Sequence, residues 1–167
     1  MDPLQDAFYK LVATLSGVAI AKVIRADQKA NYFGLFNQLA GAEGGQSNAA
    51  ALLALFVTLA EKGMAPQAIV SGILAGDYDP HAPAQGVVFS ELTRALTLFV
   101  LTGLWDPNCN PENASIPTPE AYAEGLVWLI AQAHPAGYSN MLTRSWTNVP
   151  PRSWTNVPPP LSQFIGA

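Results

Sequence analysis

The sequence is poor in charge and in cysteine, and each shortage excludes a class of function. Only 12% of the 167 residues are charged, and 8 basic against 12 acidic side chains leave a net charge of −4. Nucleic-acid binding and a polybasic membrane patch both need an excess of positive charge, so we expect neither. The single cysteine, Cys109, excludes an internal disulfide and any metal or iron–sulfur site built from several cysteines.

Recognisable catalytic and metal-binding patterns are also missing. His81 and His134 stand beside prolines, without an HExxH pattern or a cysteine partner. The DYDP run at 77–80 lacks the later oxygen ligands and the glycine of a calcium loop. GAEGG at 41–45 lacks the lysine and the Ser or Thr of a phosphate loop, and no serine lies in a GxSxG elbow. We therefore expect no catalytic, cofactor-binding or metal-binding residue in this chain.

The sequence contains no stretch that resembles a membrane span or an export signal. Its most apolar stretch, residues 89–105, is shorter than a bilayer requires and contains Glu91 and Arg94. The N-terminus, MDPLQDAFYKL, has no basic region, no continuous apolar region and no paired arginines. We expect either a protein that stays inside the cell or one whose leader has been removed.

What the sequence does contain is apolar residues, half of the total, with little polar surface to cover them. This composition suggests that part of the apolar surface meets a partner. Residues 89–105, FSELTRALTLFVLTGLW, are apolar on almost every side of a helical wheel. We expect a central buried helix there, capped by Ser90 and ended by Asp106-Pro107.

Further helices follow from apolar spacing and from signals at their ends. Residues 18–39 form one long helix or two short ones broken within 27–31. The proline-rich segments 77–86 and 106–117 are expected to be surface connectors, and GAEGGQ at 41–46 a flexible loop. The other predicted helices are residues 3–16 after Asp2-Pro3, a helix from Ser47 or Asn48 to Gly63, Pro66 to Ala75, and one from Thr118-Pro119 to Ile130.

No alternating strand pattern appears, so the predicted fold class is all-α. We expect a single compact helical domain over residues 1–133, with about five to seven helices. Residues 134–167 are rich in proline and aromatic residues, which favours a long extended C-terminal tail. The tail contains a tandem repeat, RSWTNVPP at 144–151 and again at 152–159. An in-frame duplication explains it, and either one copy fills a pocket or neither copy has a specific role.

Four parts of the sequence resemble a known family. They are DAFYKLVATLSG at 6–17, LTRALTLFVLTGLW at 92–105, PEAYAEGLVW at 119–128, and a closing group of Tyr138, Trp146 and Pro150-Pro151. Their order is similar to that in the small subunits of bacterial membrane-associated, FAD-dependent sugar and polyol dehydrogenases. That family includes the small subunits of sorbitol, fructose and glucose dehydrogenases, and it resembles the third subunit of gluconate 2-dehydrogenase.

This chain departs from the family pattern in three ways. The central helix has Arg94-Ala95-Leu96 and a displaced Trp105 where the family has an arginine-alanine-tryptophan-tyrosine run. The tail motif is doubled, and the twin-arginine leader usual in the family is not part of this sequence. Because of these differences, the resemblance does not fix which single residues correspond to those of the family, or which protein is the partner.

The resemblance implies an accessory subunit that is not an enzyme by itself. Such a subunit binds, stabilises and helps to mature and export a large flavoprotein of the glucose–methanol–choline type. FAD belongs to that partner, and a multihaem cytochrome c subunit with haem c often completes the complex. The implied location is the periplasm, with membrane association only through partners.

Partner contacts are expected mainly in the tail, where a proline-rich chain loses little backbone entropy on docking and indole rings often anchor interfaces. In an exported protein, the lone Cys109 would suggest an intermolecular disulfide. The predicted partner-binding residues are Trp105, Cys109, Tyr138, Trp146, Pro150 and Pro151.

Two other functions fit the sequence. One is a stand-alone helical adaptor or scaffold with an unrelated protein partner. The other is an enzyme whose site is assembled from scattered polar residues such as Asp77, His81 and His134, which the low content of titratable groups disfavours.

Overall fold

The computed structural model describes residues 2–43, 46–78, 83–107 and 112–131. The described chain is helical, which confirms the all-α prediction, and two-residue strands β1 (Ala42–Glu43) and β2 (Gln46–Ser47) pair antiparallel between the third and fourth helices. The helices are α1 (Pro3–Ser16), α2 (Ile20–Ala30), α3 (Tyr32–Leu39), α4 (Asn48–Glu61), α5 (Pro66–Ala75), α6 (Pro83–Thr102), α7 (Pro119–Ala123) and α8 (Leu126–Ile130).

The chain divides into two units, Met1–Ala133 and His134–Ala167. The predicted extended tail with its RSWTNVPP repeat falls in the second unit and lies outside the described residues. Within the first unit, no single described helix is long and apolar enough to cross a membrane. The pair α1 and α2, bent by 116° at their junction, meets the length and composition criteria only when both are taken together.

Local signals set most helix ends where the sequence predicts them. The Asp2 side chain accepts the Leu4 N–H at 3.0 Å and caps α1, and Gly17 ends that helix with φ 68°. Gly76 ends α5 in the same way, with φ 80°. The break within 18–39 falls at Asn31, whose φ of 53° ends α2 and turns the chain into α3, so the segment forms two short helices.

The central helix α6 occupies a different range from the one predicted. It begins at Pro83, which a first helical turn tolerates, so residues 83–86 are helical and not part of a connector. Ser90 therefore does not cap the start, and its hydroxyl donates to the Leu74 carbonyl at 2.9 Å, linking α6 to α5. The helix ends at Thr102, because Gly103 has φ 75° and its N–H bonds to the Phe99 carbonyl.

Burial of α6 on most of its circumference is confirmed. Among residues 88–102 only Glu91 and Arg94 are exposed. Every helix contributes apolar side chains to the core, and α1 packs on α4, α2, α5 and α6. Its aromatic centre consists of rings meeting mostly edge to face: Phe8, Tyr9, Tyr32, Phe33, Phe36, Phe99 and Trp105.

The predicted helix from Thr118-Pro119 to Ile130 is split into α7 and α8 at Gly125. A Cβ atom at this position would lie 2.8 Å from the Leu101 carbonyl oxygen, so only glycine allows the close approach of α6. The preceding connector also differs from the prediction. Asp106 is buried, with 5% of its surface exposed, because the chain is held there by backbone pairing of Trp105 with Ser115.

Candidate partner-binding surface

The end of the described domain presents large apolar side chains to solvent. Leu126 anchors α8 with 2% of its surface exposed, whereas Leu129 and Ile130 are 47% and 56% exposed. We name Leu129 and Ile130 the α8 surface. Among the described residues, only Ile116 and Ile20 are further large apolar side chains with comparable exposure, at 52% and 38%.

Short-range contacts hold α8 in place on α7. The indole Nε1 of Trp128 donates to the Tyr122 carbonyl at 2.9 Å, and the two rings meet edge to face with centroids 5.7 Å apart. The Thr118 hydroxyl oxygen accepts the Ala121 N–H at 3.1 Å and caps α7. Because α7 and α8 are only five residues each, these contacts replace the stability that a longer helix would have of its own.

Two more contacts fix α7 to the body of the domain. The Lys29 ammonium of α2 lies 2.6 Å from a Glu124 carboxylate oxygen, just after α7. The buried Tyr32 hydroxyl of α3 donates to the Ala121 carbonyl. The α8 surface is therefore preorganised, so a partner would not have to order it on binding.

Trp105 lies in the core, with 6% of its surface exposed. Its ring meets those of Phe36 and Phe99 edge to face, at centroid distances of 6.2 and 5.7 Å. Its backbone pairs with Ser115 through N–H to carbonyl bonds of 2.8 and 2.9 Å. A partner could touch only a small part of this side chain, and a role for Trp105 in partner binding stays a prediction.

The other predicted partner-binding residues lie outside the described residues, and so do His81 and His134. They are Cys109, Tyr138, Trp146, Pro150 and Pro151. Asp77, the remaining member of the scattered polar set, is described and is exposed. Nothing in the described structure therefore brings the members of that set together.

A concave feature lies between α1 and α4. It is an open groove of about 290 Å³. Its charged rim includes Asp6 and Lys10, which form an ion pair at 2.6 Å within α1. Apart from this pair, Glu61 is the charged side chain that lines the groove. The groove is lined by Pro3, Asp6, Ala7, Lys10, Phe56, Val57, Ala60 and Glu61.

The buried side chains of Tyr9 and Asp27 link three helices of the described core. The Tyr9 hydroxyl donates to Asp27 Oδ2 at 2.7 Å, and Asp27 Oδ1 accepts the Phe33 N–H at 2.8 Å. Burial, together with the hydrogen bond to Asp27 and its charge, raises the pKa of Tyr9 above its ordinary value. This arrangement ties α1, α2 and α3 together but offers no open reacting position. Within the described ranges, no group of three or more His, Cys, Asp or Glu side chains could hold a metal ion.

Sequence reasoning missed the α8 surface because apolar spacing predicts the helix but not which of its apolar residues meet the core. Leu126, Leu129 and Ile130 have the same apolar character, and only packing separates the first from the other two. Comparisons with protein-family models, with curated proteins and with solved structures find no match to this chain. The resemblance to dehydrogenase small subunits stays a prediction.

Proposed function

We propose that this chain is a non-catalytic subunit that binds a partner protein through the α8 surface and the chain that follows it. The observation that supports this proposal most directly is the exposure of Leu129 and Ile130, at 47% and 56%. Burying the exposed half of each side chain against a partner contributes about 1 kcal/mol per residue. Adjacent exposed apolar residues suit the fully buried centre of an interface, which is more apolar than its rim.

The position of α8 in the chain supports the same proposal. It ends at Ile130, and the segment that follows contains Tyr138, Trp146 and Pro150-Pro151, the predicted anchors for a partner. An interface that begins on the ordered α8 surface would raise the effective concentration of the following segment at its own binding site.

The resemblance in sequence supplies the identity of the partner. We propose a large FAD-dependent sugar or polyol dehydrogenase subunit of the glucose–methanol–choline type, which this chain stabilises and helps to mature and export. FAD is bound by that partner, a multihaem cytochrome c is the expected third subunit, and the complex works in the periplasm. Cys109 would then form an intersubunit disulfide, visible on a non-reducing gel of the complex as a species that thiol collapses.

Neighbouring genes provide the first check. The proposal expects a long reading frame that begins with a GxGxxG strand–turn–helix pattern, beside one with repeated CxxCH haem sites. That flavoprotein is then co-expressed with this chain and purified through a tag on the flavoprotein. Co-elution of the chain and the FAD content of the flavoprotein are both measured.

The discriminating variant is Leu129→Asp with Ile130→Asp. Loss of apolar burial and the cost of desolvating two carboxylates should lower the affinity at least about tenfold, which corresponds to 1.4 kcal/mol. Gln67→Asp with Ala68→Asp is the matched control, because these adjacent residues of α5 are exposed but polar or small. If both variants co-elute with the flavoprotein to the same extent as the unmodified chain does, the α8 surface has no role in binding.

A further inference from the structure

Helix α2 concentrates positive charge on one exposed face. Lys22, Arg25 and Lys29 are three of the chain's 8 basic residues, and all three are exposed on this 11-residue helix. At 3.6 residues per turn they fall within an arc of about 60°, so their side chains share one stripe. We name these three residues the α2 basic face. It stands out because the chain as a whole has a net charge of −4.

The acidic residue of α2 does not neutralise this face. Asp27 is buried, with 6% of its surface exposed, and belongs to the buried side of the helix together with Val23, Ala26 and Ala30. Both of its carboxylate oxygens accept hydrogen bonds from inside the domain, at 2.7 and 2.8 Å. The exposed charged side chains of α2 are therefore all positive.

The α2 basic face is only partly paired. Lys29 forms an ion pair with Glu124 at 2.6 Å. Lys22 and Arg25 make no ion pair with any residue in the part of the chain that the structure describes.

We propose that the α2 basic face binds a cluster of carboxylates on the surface of a partner protein. Complementary charge at this position would steer the partner and fix its orientation, with Lys22 and Arg25 as the available cations. Arg25 can pair with a carboxylate through two parallel hydrogen bonds, and Lys22 adds a point charge. The proposal goes beyond the α8 surface and does not depend on the partner being a flavoprotein.

The size of the face favours a protein over an extended polyanion. Seven helical rises separate Lys22 from Lys29, a distance of about 10 Å. This length is close to the Debye length of about 8 Å at physiological ionic strength, so the attraction acts only over the patch itself. An anionic membrane surface or a nucleic acid would also face the rest of this acidic protein. The negative charge of the protein would repel it. A local carboxylate cluster avoids that repulsion.

The test uses the full chain and a fluorescein-labelled oligoglutamate peptide as the acidic probe, with binding followed by anisotropy at low ionic strength. The unmodified chain should bind the probe, with affinity falling as salt is added. Lys22→Glu with Arg25→Glu should lower the affinity about tenfold or more, since two attractions become repulsions. Lys62→Glu with Arg94→Glu, which changes two exposed residues elsewhere and shifts the net charge equally, should cause a much smaller loss.

Three outcomes would overturn the proposal. One is no binding of oligoglutamate by the unmodified chain, and another is an equal loss in both variants, which would indicate an effect of net charge alone. The third outcome concerns a second binding measurement, made with vesicles of phosphatidylcholine and phosphatidylserine. If the chain binds these vesicles through Lys22 and Arg25 but does not bind oligoglutamate, the face is a lipid-binding surface. Far-UV circular dichroism of both variants verifies that each is folded.

Discussion

Tyr9 and Asp27 are joined by a hydrogen bond of 2.7 Å inside the domain, although 18 residues separate them in the chain. Both are buried, with 3% and 6% of their surfaces exposed. The bond links the middle of α1 to the last turn of α2, and Asp27 continues the link to the start of α3 through Phe33. Three helices therefore meet at one carboxylate.

Replacing Tyr9 by phenylalanine should destabilise the domain. The change keeps the ring but leaves one buried oxygen of Asp27 without a partner, which costs about 1–3 kcal/mol. Urea unfolding followed by circular dichroism measures the loss. Tyr78→Phe is the matched control, because its hydroxyl makes only a 3.4 Å bond to the Ala68 carbonyl at an exposed site. A loss no larger for Tyr9→Phe than for Tyr78→Phe would count against the structural role of the Asp27 link.

Stability should fall above pH 10. Burial raises the pKa of Tyr9, aided by Asp27, and burial raises the pKa of Tyr32, aided by the charges of Glu124 and Asp27. Unfolded tyrosines lose their protons near pH 10 while the folded ones keep them, so the stabilisation is complete below that pH and decreases above it. Each tyrosine adds up to about 1.4 kcal/mol per pH unit to the slope.

The measurement is the free energy of unfolding at a series of pH values from neutral to alkaline. Tyr32→Phe should reduce the alkaline slope by about half, because one of the two titrating groups is removed. An unchanged slope in this variant would show that the two tyrosines do not carry the alkaline loss.

Gly103→Ala should be far more damaging than Gly17→Ala. Both glycines have positive φ, 75° and 68°, so each substitution carries left-handed backbone strain of about 1 kcal/mol. A Cβ at Gly103 would also collide with the backbone of Tyr122 and Ala121, whereas none lies within 4 Å at Gly17. The collision adds about 1–3 kcal/mol. Thermal unfolding of the two variants side by side gives the difference, and equal midpoints would contradict the close approach of α6 and α7.

Substitutions at Trp105 separate packing from partner binding. Trp105→Ala should cost about 3–5 kcal/mol of stability, because it empties a site between Phe36 and Phe99. Trp105→Phe retains most of the packing and should still co-elute with the flavoprotein. If Trp105→Phe folds with near-normal stability but fails to co-elute, the indole itself contacts the partner.

The tandem repeat offers its own matched pair of variants. If Trp146 is the anchor in the partner's groove, Trp146→Ala should cost about 2 kcal/mol or more of binding. Trp154, which has the same neighbours in the second copy, should be nearly neutral, because a duplicated segment has no second groove to fill. Titration calorimetry with the flavoprotein measures both. Equal effects of the two substitutions would show that the copies are interchangeable, and no effect of either would exclude the tail as an anchor.

Helix ends that depend on neighbouring residues are predictable from this sequence. Asp2 and Thr118 cap helices through hydrogen bonds two or three residues away, and Gly17 and Gly76 end them through their own backbone angles. Such signals act within a few residues, so no knowledge of the fold is needed. The charge of α2 is also visible in the sequence, but the burial of Asp27 that leaves its face cationic is not.

The all-α class and the order of the helices were thus determined by the sequence alone, through apolar spacing and local capping. The tertiary structure decided the rest: the break at Gly125 against Leu101, the buried bond of Tyr9 to Asp27, and the exposure of Leu129 and Ile130. Each of these depends on which faces of distant helices meet. Apolar residues of one helix are chemically alike until packing places some in the core and leaves others on the surface.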